Sequence, residues 1–166
     1  MREKIGSFDA FAETVAKLAQ GGCLLVGGEK GNPMTIGWGT VGIIWGKPVF
    51  VVAVRPSRYT FGLMEALGEF TVNVPPDGFK KEVASIGSES GRTVDKVAKH
   101  KLTLAKSRDV KVPWIEQCPI HYECRVIHKG NVINADLDRE IVAKSYPNGD
   151  FHRLYFGEIL GVYRDK

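Results

Sequence analysis

Gly37-Trp38-Gly39-Thr40-Val41-Gly42 carries three glycines at the GxGxxG spacing of a dinucleotide-binding turn, and its reading decides the fold. Such a turn must close a strand and open a helix, so that phosphates can approach the helix N-terminus. The residues that follow are Ile43-Ile44-Trp45-Gly46-Lys47-Pro48. β-Branched residues, a glycine and a proline do not continue a helix. The glycines instead fit a bent strand in which backbone and Trp38 pack closely, and the Rossmann reading falls away.

Working outward, the chain reads as many short strands with a few short helices. Ser7 to Gln20 is an amphipathic helix on Phe8, Phe11, Val15 and Leu18, stopped by Gly21-Gly22. Cys23 to Val26 is a short apolar strand, and Asn32 to Thr40 is a bent segment that exposes backbone. Ile43 to Trp45 and Pro48 to Val54 pair as strands across Gly46-Lys47. Helices are expected over Phe61 to Leu67, Phe79 to Ile86 and Val94 to Lys99, with a strand at Phe70 to Val74. Beyond Pro113, Ile120, Tyr122, Cys124 and Val126 alternate, with Asn131 to Ala135 as the returning strand. Ile141 to Ala143 and the alternating Leu154 to Val162 complete the strands. The pattern predicts a mostly β chain, a β-barrel with helical additions.

With 166 residues, 43% hydrophobic and 25% charged, the chain fits a single domain over residues 1–166. A net charge of +4 suits a phosphate-bearing ligand, but no block of like charges marks a nucleic-acid binder. Trp38 and Trp45 read as parts of apolar strands, which also argues against an aromatic nucleic-acid face. No secretory signal opens the chain, and the longest apolar run, Val49 to Val54, is too short to span a bilayer. Cys23, Cys118 and Cys124 are odd in number and lack CxxC spacing; His100, His121, His128 and His152 lack ligand spacing. The expectation is a cytoplasmic protein with reduced thiols, no metal and no membrane contact.

Three segments carry chemistry. In Val54-Arg55-Pro56-Ser57-Arg58-Tyr59-Thr60 a strand ends, Pro56 fixes one backbone angle, and a helix starts with Thr60 as N-cap. Two guanidinium groups, hydroxyls and free N–H groups then converge as a phosphate monoester requires. A capped helix with solvated arginines accounts for these residues equally well. Ser88-Glu89-Ser90-Gly91-Arg92-Thr93-Val94-Asp95-Lys96 is a second hydroxyl- and cation-bearing loop ahead of a helix. Asn32 to Thr40 adds backbone donors flanked by Met34 and Trp38, which suits a planar heteroaromatic ring, although strand packing explains the same residues.

Together, in this order and spacing, the three segments resemble the flavin reductase-like family, the FMN-binding split barrels that include the flavoredoxins. A fourth likeness lies in Asp150-Phe151-His152 followed by Tyr155-Phe156-Gly157-Glu158-Ile159. The resemblance implies a six-stranded Greek-key barrel, homodimeric, holding FMN non-covalently near the subunit interface. It implies that Asn32, Met34, Thr35, Ile36 and Trp38 line the isoalloxazine, Met34 and Thr35 through their side chains. Arg55, Pro56, Ser57, Arg58 and Thr60 would hold the phosphate, with Ser88, Ser90, Gly91, Arg92 and Lys96 closing over phosphate and ribityl chain. His152 would be the catalytic residue, facing the flavin or the incoming nicotinamide. One departure stands out: the family often has Cys or His before Ser90, where this chain has Ser88 and Glu89. The activity implied is flavin reduction by NADH or NADPH, in which the cofactor carries the hydride chemistry. The alternative is a flavoredoxin-type electron carrier serving a redox protein partner.

Overall fold

A computed structural model describes residues 2–166. Gly37-Trp38 proves to be a two-residue corner between β3 (Asn32–Ile36) and β4 (Gly39–Ile44). The other elements are β1 (Arg2–Ile5), α1 (Phe11–Ala19), β2 (Cys23–Gly27), β5 (Lys47–Val54), α2 (Tyr59–Leu67), β6 (Glu69–Val74), α3 (Lys80–Ser88) and α4 (Lys96–Lys99). They continue with β7 (Leu104–Ala105), β8 (Trp114–Ile115), β9 (Ile120–Asn131), α5 (Arg139–Ser145) and β10 (Arg153–Asp165).

The main sheet runs β3-β2-β6-β9-β10-β5-β4, wholly antiparallel, with β1 paired to the far end of β10. Strands β3 and β4 are consecutive in sequence yet lie at opposite edges. A two-residue connection can bridge those edges only if the sheet curls until they meet, which makes a split barrel. The seam lies at Gly37-Trp38, where the Ala53 N–H donates to the Trp38 carbonyl. Gly39 is required there, since a Cβ would lie 2.8 Å from the Val51 carbonyl oxygen. The split barrel expected from the resemblance is the fold observed, with β3 and β1 extending the six strands from β2 to β4 along the sheet.

Strand β2 explains the layering. Leu25 packs inside the barrel with Phe50, Val52, Phe70, Val72 and Tyr122. Its neighbours Leu24 and Val26 face outward and are covered by Val83, Ile86, Val112, Ile115 and Cys118. Alternate side chains point to opposite faces, so an unbroken apolar run marks a strand buried on both.

The structure corrects several expectations. Ile141 to Ala143 is helix, not strand: the Asp138 carboxylate accepts from the Glu140 and Ile141 N–H groups and starts α5. Asn131 to Ala135 is no returning strand, because β9 runs on to Asn131 and the chain then turns through a 3₁₀ helix at Asn134–Asp136. Thr60 is not the N-cap; α2 starts at Tyr59, with extended Arg58 before it, and Thr60 is buried in the first turn. Trp45 is no strand residue but sits in the β4–β5 turn at φ 54°, 61% exposed, and Trp38 is 49% exposed. Helix α1 starts at Phe11, later than Ser7. Strands β1, β7 and β8 were not anticipated.

Beside β1 lies a buried charged cluster. Glu123, fully buried, accepts hydrogen bonds from the Arg108 and Asp109 N–H groups and from His121 Nε2 at 3.1 Å. Arg2 Nη1 donates to His121 Nδ1 at 2.8 Å, which leaves the ring proton on Nε2. Burial pushes the His121 pKa down despite the Glu123 carboxylate. Among the described residues no helix is long and apolar enough to cross a membrane. All three cysteines are buried and unpaired, and burial raises their thiol pKa values, those of Cys23 and Cys118 to about 12. Protonated thiols in a core are not nucleophiles.

Candidate functional site

The corner at Gly37-Trp38 borders a cavity of about 350 Å³. Strand β3 supplies Met34, Thr35 and Ile36; Trp38, Arg55, Arg58, Gly87 and His152 complete most of its lining. As an edge strand, β3 pairs with β2 on one side only and has no strand partner on the other, where Lys96 takes the Pro33 carbonyl. Met34 and Ile36 are turned into the barrel core, so their side chains do not wall the cavity as expected for Met34. Thr35 faces the other way and donates its hydroxyl to the Val83 carbonyl. What β3 offers a ligand is therefore backbone, with the Trp38 indole beside it.

Pro56 turns the chain so that its two flanking arginines diverge. Arg55 reaches the α5–β10 loop, donating to the carbonyls of Ser145 at 2.8 Å and Asp150 at 3.0 Å. Arg58 turns to α3 and donates to the Gly87 carbonyl at 2.8 Å. Ser57 faces Asp150, whose carboxylate accepts from the Ser57 N–H at 3.3 Å and hydroxyl at 2.5 Å. These donors, expected to bind phosphate, already hold an internal anion. Thr60 is buried, and its hydroxyl oxygen accepts from Asn32 Nδ2 at 2.8 Å.

Lys96 is the outlying charge. It is 3% exposed and donates to the carbonyls of Pro33 at 3.0 Å and Ile86 at 2.9 Å. Ile86 and Gly87 lie in the last turn of α3, whose unpaired carbonyls favour cations. Those carbonyls satisfy hydrogen bonds without neutralising charge, and among the described residues no carboxylate lies within ion-pair distance of Lys96. Burial, then the charge of Arg58, lowers its pKa to about 8, with the Glu89 carboxylate opposing only in part. Glu89 is drawn away by Lys99 at 2.6 Å and His100 at 3.1 Å, which hold its carboxyl near 2.

The loop before α4 closes on the same corner. A Cβ on Gly91 would run into the Asn32 carboxamide and the Tyr59 ring, so any other residue would displace one of them. Arg92 Nη1 donates to the Ser57 carbonyl at 2.8 Å. Asn32, Tyr59, Gly91, Arg92 and Lys96 border a neighbouring cavity of about 780 Å³. Ser88 donates to the Ser85 carbonyl within α3, and Ser90 accepts from the Arg92 N–H, so both hydroxyls shape the loop. Pro56, Ser57, Thr60, Ser88 and Ser90 line neither cavity.

His152 lies beside Trp38, ring centroids 4.8 Å apart, and its Nδ1 is 2.7 Å from the Tyr146 hydroxyl. Burial, then the positive charge of Arg55, lowers its pKa to about 4. Tyr146, Asp150, Tyr59 and Gly87 were absent from the expected site residues. Tyr59 and Asp150 lie inside the quoted Val54–Thr60 and Asp150–His152 motifs and Gly87 directly before the Ser88 loop, whereas Tyr146 meets the site only through packing and no local motif signals it.

The donor set fits a flavin phosphate: a buried ammonium without a counter-ion, a half-buried guanidinium and a free strand edge lie beside an exposed indole. Comparison with known proteins agrees. Residues 15–166 match the family model for the flavin reductase like domain. An uncharacterized protein of Archaeoglobus fulgidus is 39% identical over 140 residues, covering 84% of this chain and 69% of that one. The flavoredoxin of Methanosarcina acetivorans has a solved structure with TM-score 0.67 and 27% identity, over 87% of this chain and 68% of that one. An FMN-binding protein of Thermus thermophilus, solved with p-hydroxybenzaldehyde bound, gives TM-score 0.68 and 25% identity, over 87% and 71%. The chain belongs to the flavin reductase like family.

Proposed function

We propose, from that membership, that the chain binds FMN non-covalently and acts as a flavin reductase-like oxidoreductase accepting hydride from NADH or NADPH. The observation that carries the reading is Lys96, a buried cation without a carboxylate, flanked by Arg58. An unpaired buried charge is costly, and a phosphate monoester would supply the missing anion with charge-assisted hydrogen bonds. Bound FMN would supply the hydride-accepting ring. The protein's part is to hold it: Lys96 and Arg58 at the phosphate, Asn32, Gly91 and Arg92 beside the ribityl chain, the β3 edge along the ring. Trp38 and His152 exclude water at the ring's open side, and His152, uncharged at neutral pH, adds no repulsion to a cationic nicotinamide.

The likeness to a flavoredoxin keeps a second reading in view, an electron carrier for a protein partner. Anaerobic addition of NADH or NADPH to the flavin-loaded protein separates the two. Bleaching of the flavin band within a catalytic time supports the reductase; a band that persists until a protein reductant is added supports the carrier. A homodimer is part of the proposal, supported by Ile43 and Trp45, both 61% exposed beside His128 and Phe156. A monomeric mass with FMN retained would remove it.

A further inference from the structure

A second cavity, of about 420 Å³, opens on the other side of Trp38 and His152. Val51, Val132, Leu137, Ile141 and Leu154 give it an aliphatic wall. None of its lining side chains is an acid, a lysine or an arginine. The first cavity, by contrast, has two arginines. Its size lies within the ~300–1,000 Å³ common for small-molecule sites.

One polar device stands at the wall the two cavities share. Tyr146, 6% exposed, is stacked on Phe151 at 4.6 Å and lies under the Arg55 guanidinium at 4.9 Å. Among the described residues its hydroxyl has a single hydrogen-bond partner, His152 Nδ1. A buried phenol needs an acceptor, so the hydroxyl donates and Nδ1 is unprotonated. The ring proton then resides on Nε2, which makes no hydrogen bond among the described residues. Burial and Arg55 keep the imidazole uncharged at neutral pH. The cavity thus carries no charge, and beside the Thr40 and Ser145 hydroxyls and the Trp38 indole the His152 Nε2–H is the donor whose proton the structure fixes in place.

We propose that this cavity binds a neutral, planar molecule with one hydrogen-bond acceptor, an aromatic ketone or aldehyde, whose oxygen takes the Nε2–H bond of His152. Tyr146 is the positioning residue that keeps the proton on Nε2, and Arg55 holds the loop that carries both. As the seat of an electron acceptor the cavity rests on the flavin reading, because His152 and Trp38 line both cavities. Binding itself does not need that reading.

Calorimetric titration of the purified protein, flavin-loaded and flavin-stripped, with acetophenone, ethylbenzene and benzoate tests the assignment. Acetophenone should bind about threefold to tenfold tighter than ethylbenzene, the net worth of one hydrogen bond, and benzoate weakest of all. Tyr146→Phe should erase the preference for acetophenone while ethylbenzene affinity stays unchanged. The His152 ¹⁵N shifts should move from the Nε2–H tautomer to a mixture. If Tyr146→Phe weakens both ligands equally, the role of Tyr146 is merely structural and the proposal fails. Benzoate binding as tightly as acetophenone overturns it too. So does the absence of any binding, with Ile141→Glu splitting a dimer, which would give this face to a second copy of the chain. Protein that takes up no FMN yet keeps the acetophenone preference supports the cavity and breaks the flavin reading alone.

Discussion

The molecule buries charge in two places and treats it differently. Glu123 is surrounded by donors from its own chain: His121, two backbone N–H groups, and Arg2 beyond the imidazole. Lys96 is buried almost as deeply but meets only carbonyl oxygens, with another cation beside it. The first arrangement is closed and cross-links β1, β9 and the 108–109 loop. The second is open by one anion. An internally balanced buried charge reads as architecture, and an unbalanced one beside a cavity reads as a binding site.

Four measurements would break or sharpen that contrast. Glu123→Ala leaves His121 and two N–H groups without their acceptor and should cost about 3–5 kcal/mol of stability, as breaking buried charged networks does. Urea unfolding reads it; an unchanged midpoint would remove the closed half of the comparison. Next, Lys96→Met should weaken FMN binding about tenfold to a hundredfold, from the ~1.5–3 kcal/mol of a charged hydrogen bond, and leave riboflavin unaffected. The same variant should change stability little, because losing the hydrogen bonds to the Pro33 and Ile86 carbonyls offsets the relief of a buried cation without an ion pair. The preference for FMN over riboflavin should also fall as pH rises through about 8, where Lys96 loses its proton in the unliganded protein. A preference flat from pH 7 to 10 would sink the Lys96 assignment.

Arg58→Ala should cost FMN about tenfold on the same arithmetic, again sparing riboflavin. Arg55→Ala should act elsewhere, loosening the loop that carries Tyr146 and His152, so FMN and riboflavin lose affinity alike. Fluorescence titration of both flavins distinguishes the two arginines; equal losses at Arg58 would show it shaping the pocket instead. The smallest effect concerns acid. His152 has a folded pKa of about 4 against its ordinary 6.5, so the unfolded chain binds the proton more readily between those values. Stability is therefore full above about pH 6.5 and declines as pH falls toward 4. His121, also lowered, acts in the same direction. Replacing His152 with Gln should flatten part of that decline in thermal melts; an unaltered pH profile would argue against a buried, uncharged imidazole.

Much of this was legible in local residue patterns. The GxGxxG run was rightly denied a helix, since Ile43-Ile44 and Pro48 forbid one, and the alternation from Ile120 and from Leu154 located β9 and β10. Ile141 to Ala143 misled because three apolar residues fit either period, and the Asp138 cap that decides for helix lies outside the run. Thr60 misled for a related reason. A Thr ahead of an apolar run looks like a cap, but here its hydroxyl oxygen accepts from Asn32, a residue on strand β3. The cation-bearing segments were found, yet their division of labour was not. Ser57 and Asp150 are far apart in sequence, and nothing near either predicts that they bond.

By itself the sequence determined the strand-rich class, the bend at Gly37-Trp38, and the three segments that carry Asn32, Arg58 and Lys96. Periodicity, proline and glycine act over a few residues, so a linear reading captures them. Only the tertiary structure decided that Lys96 is buried without an acid, that Arg55 and Arg58 part company, and that Tyr146 sets the proton of His152. Burial and the distance between charges are properties of packing, and electrostatic consequence grows as water is excluded.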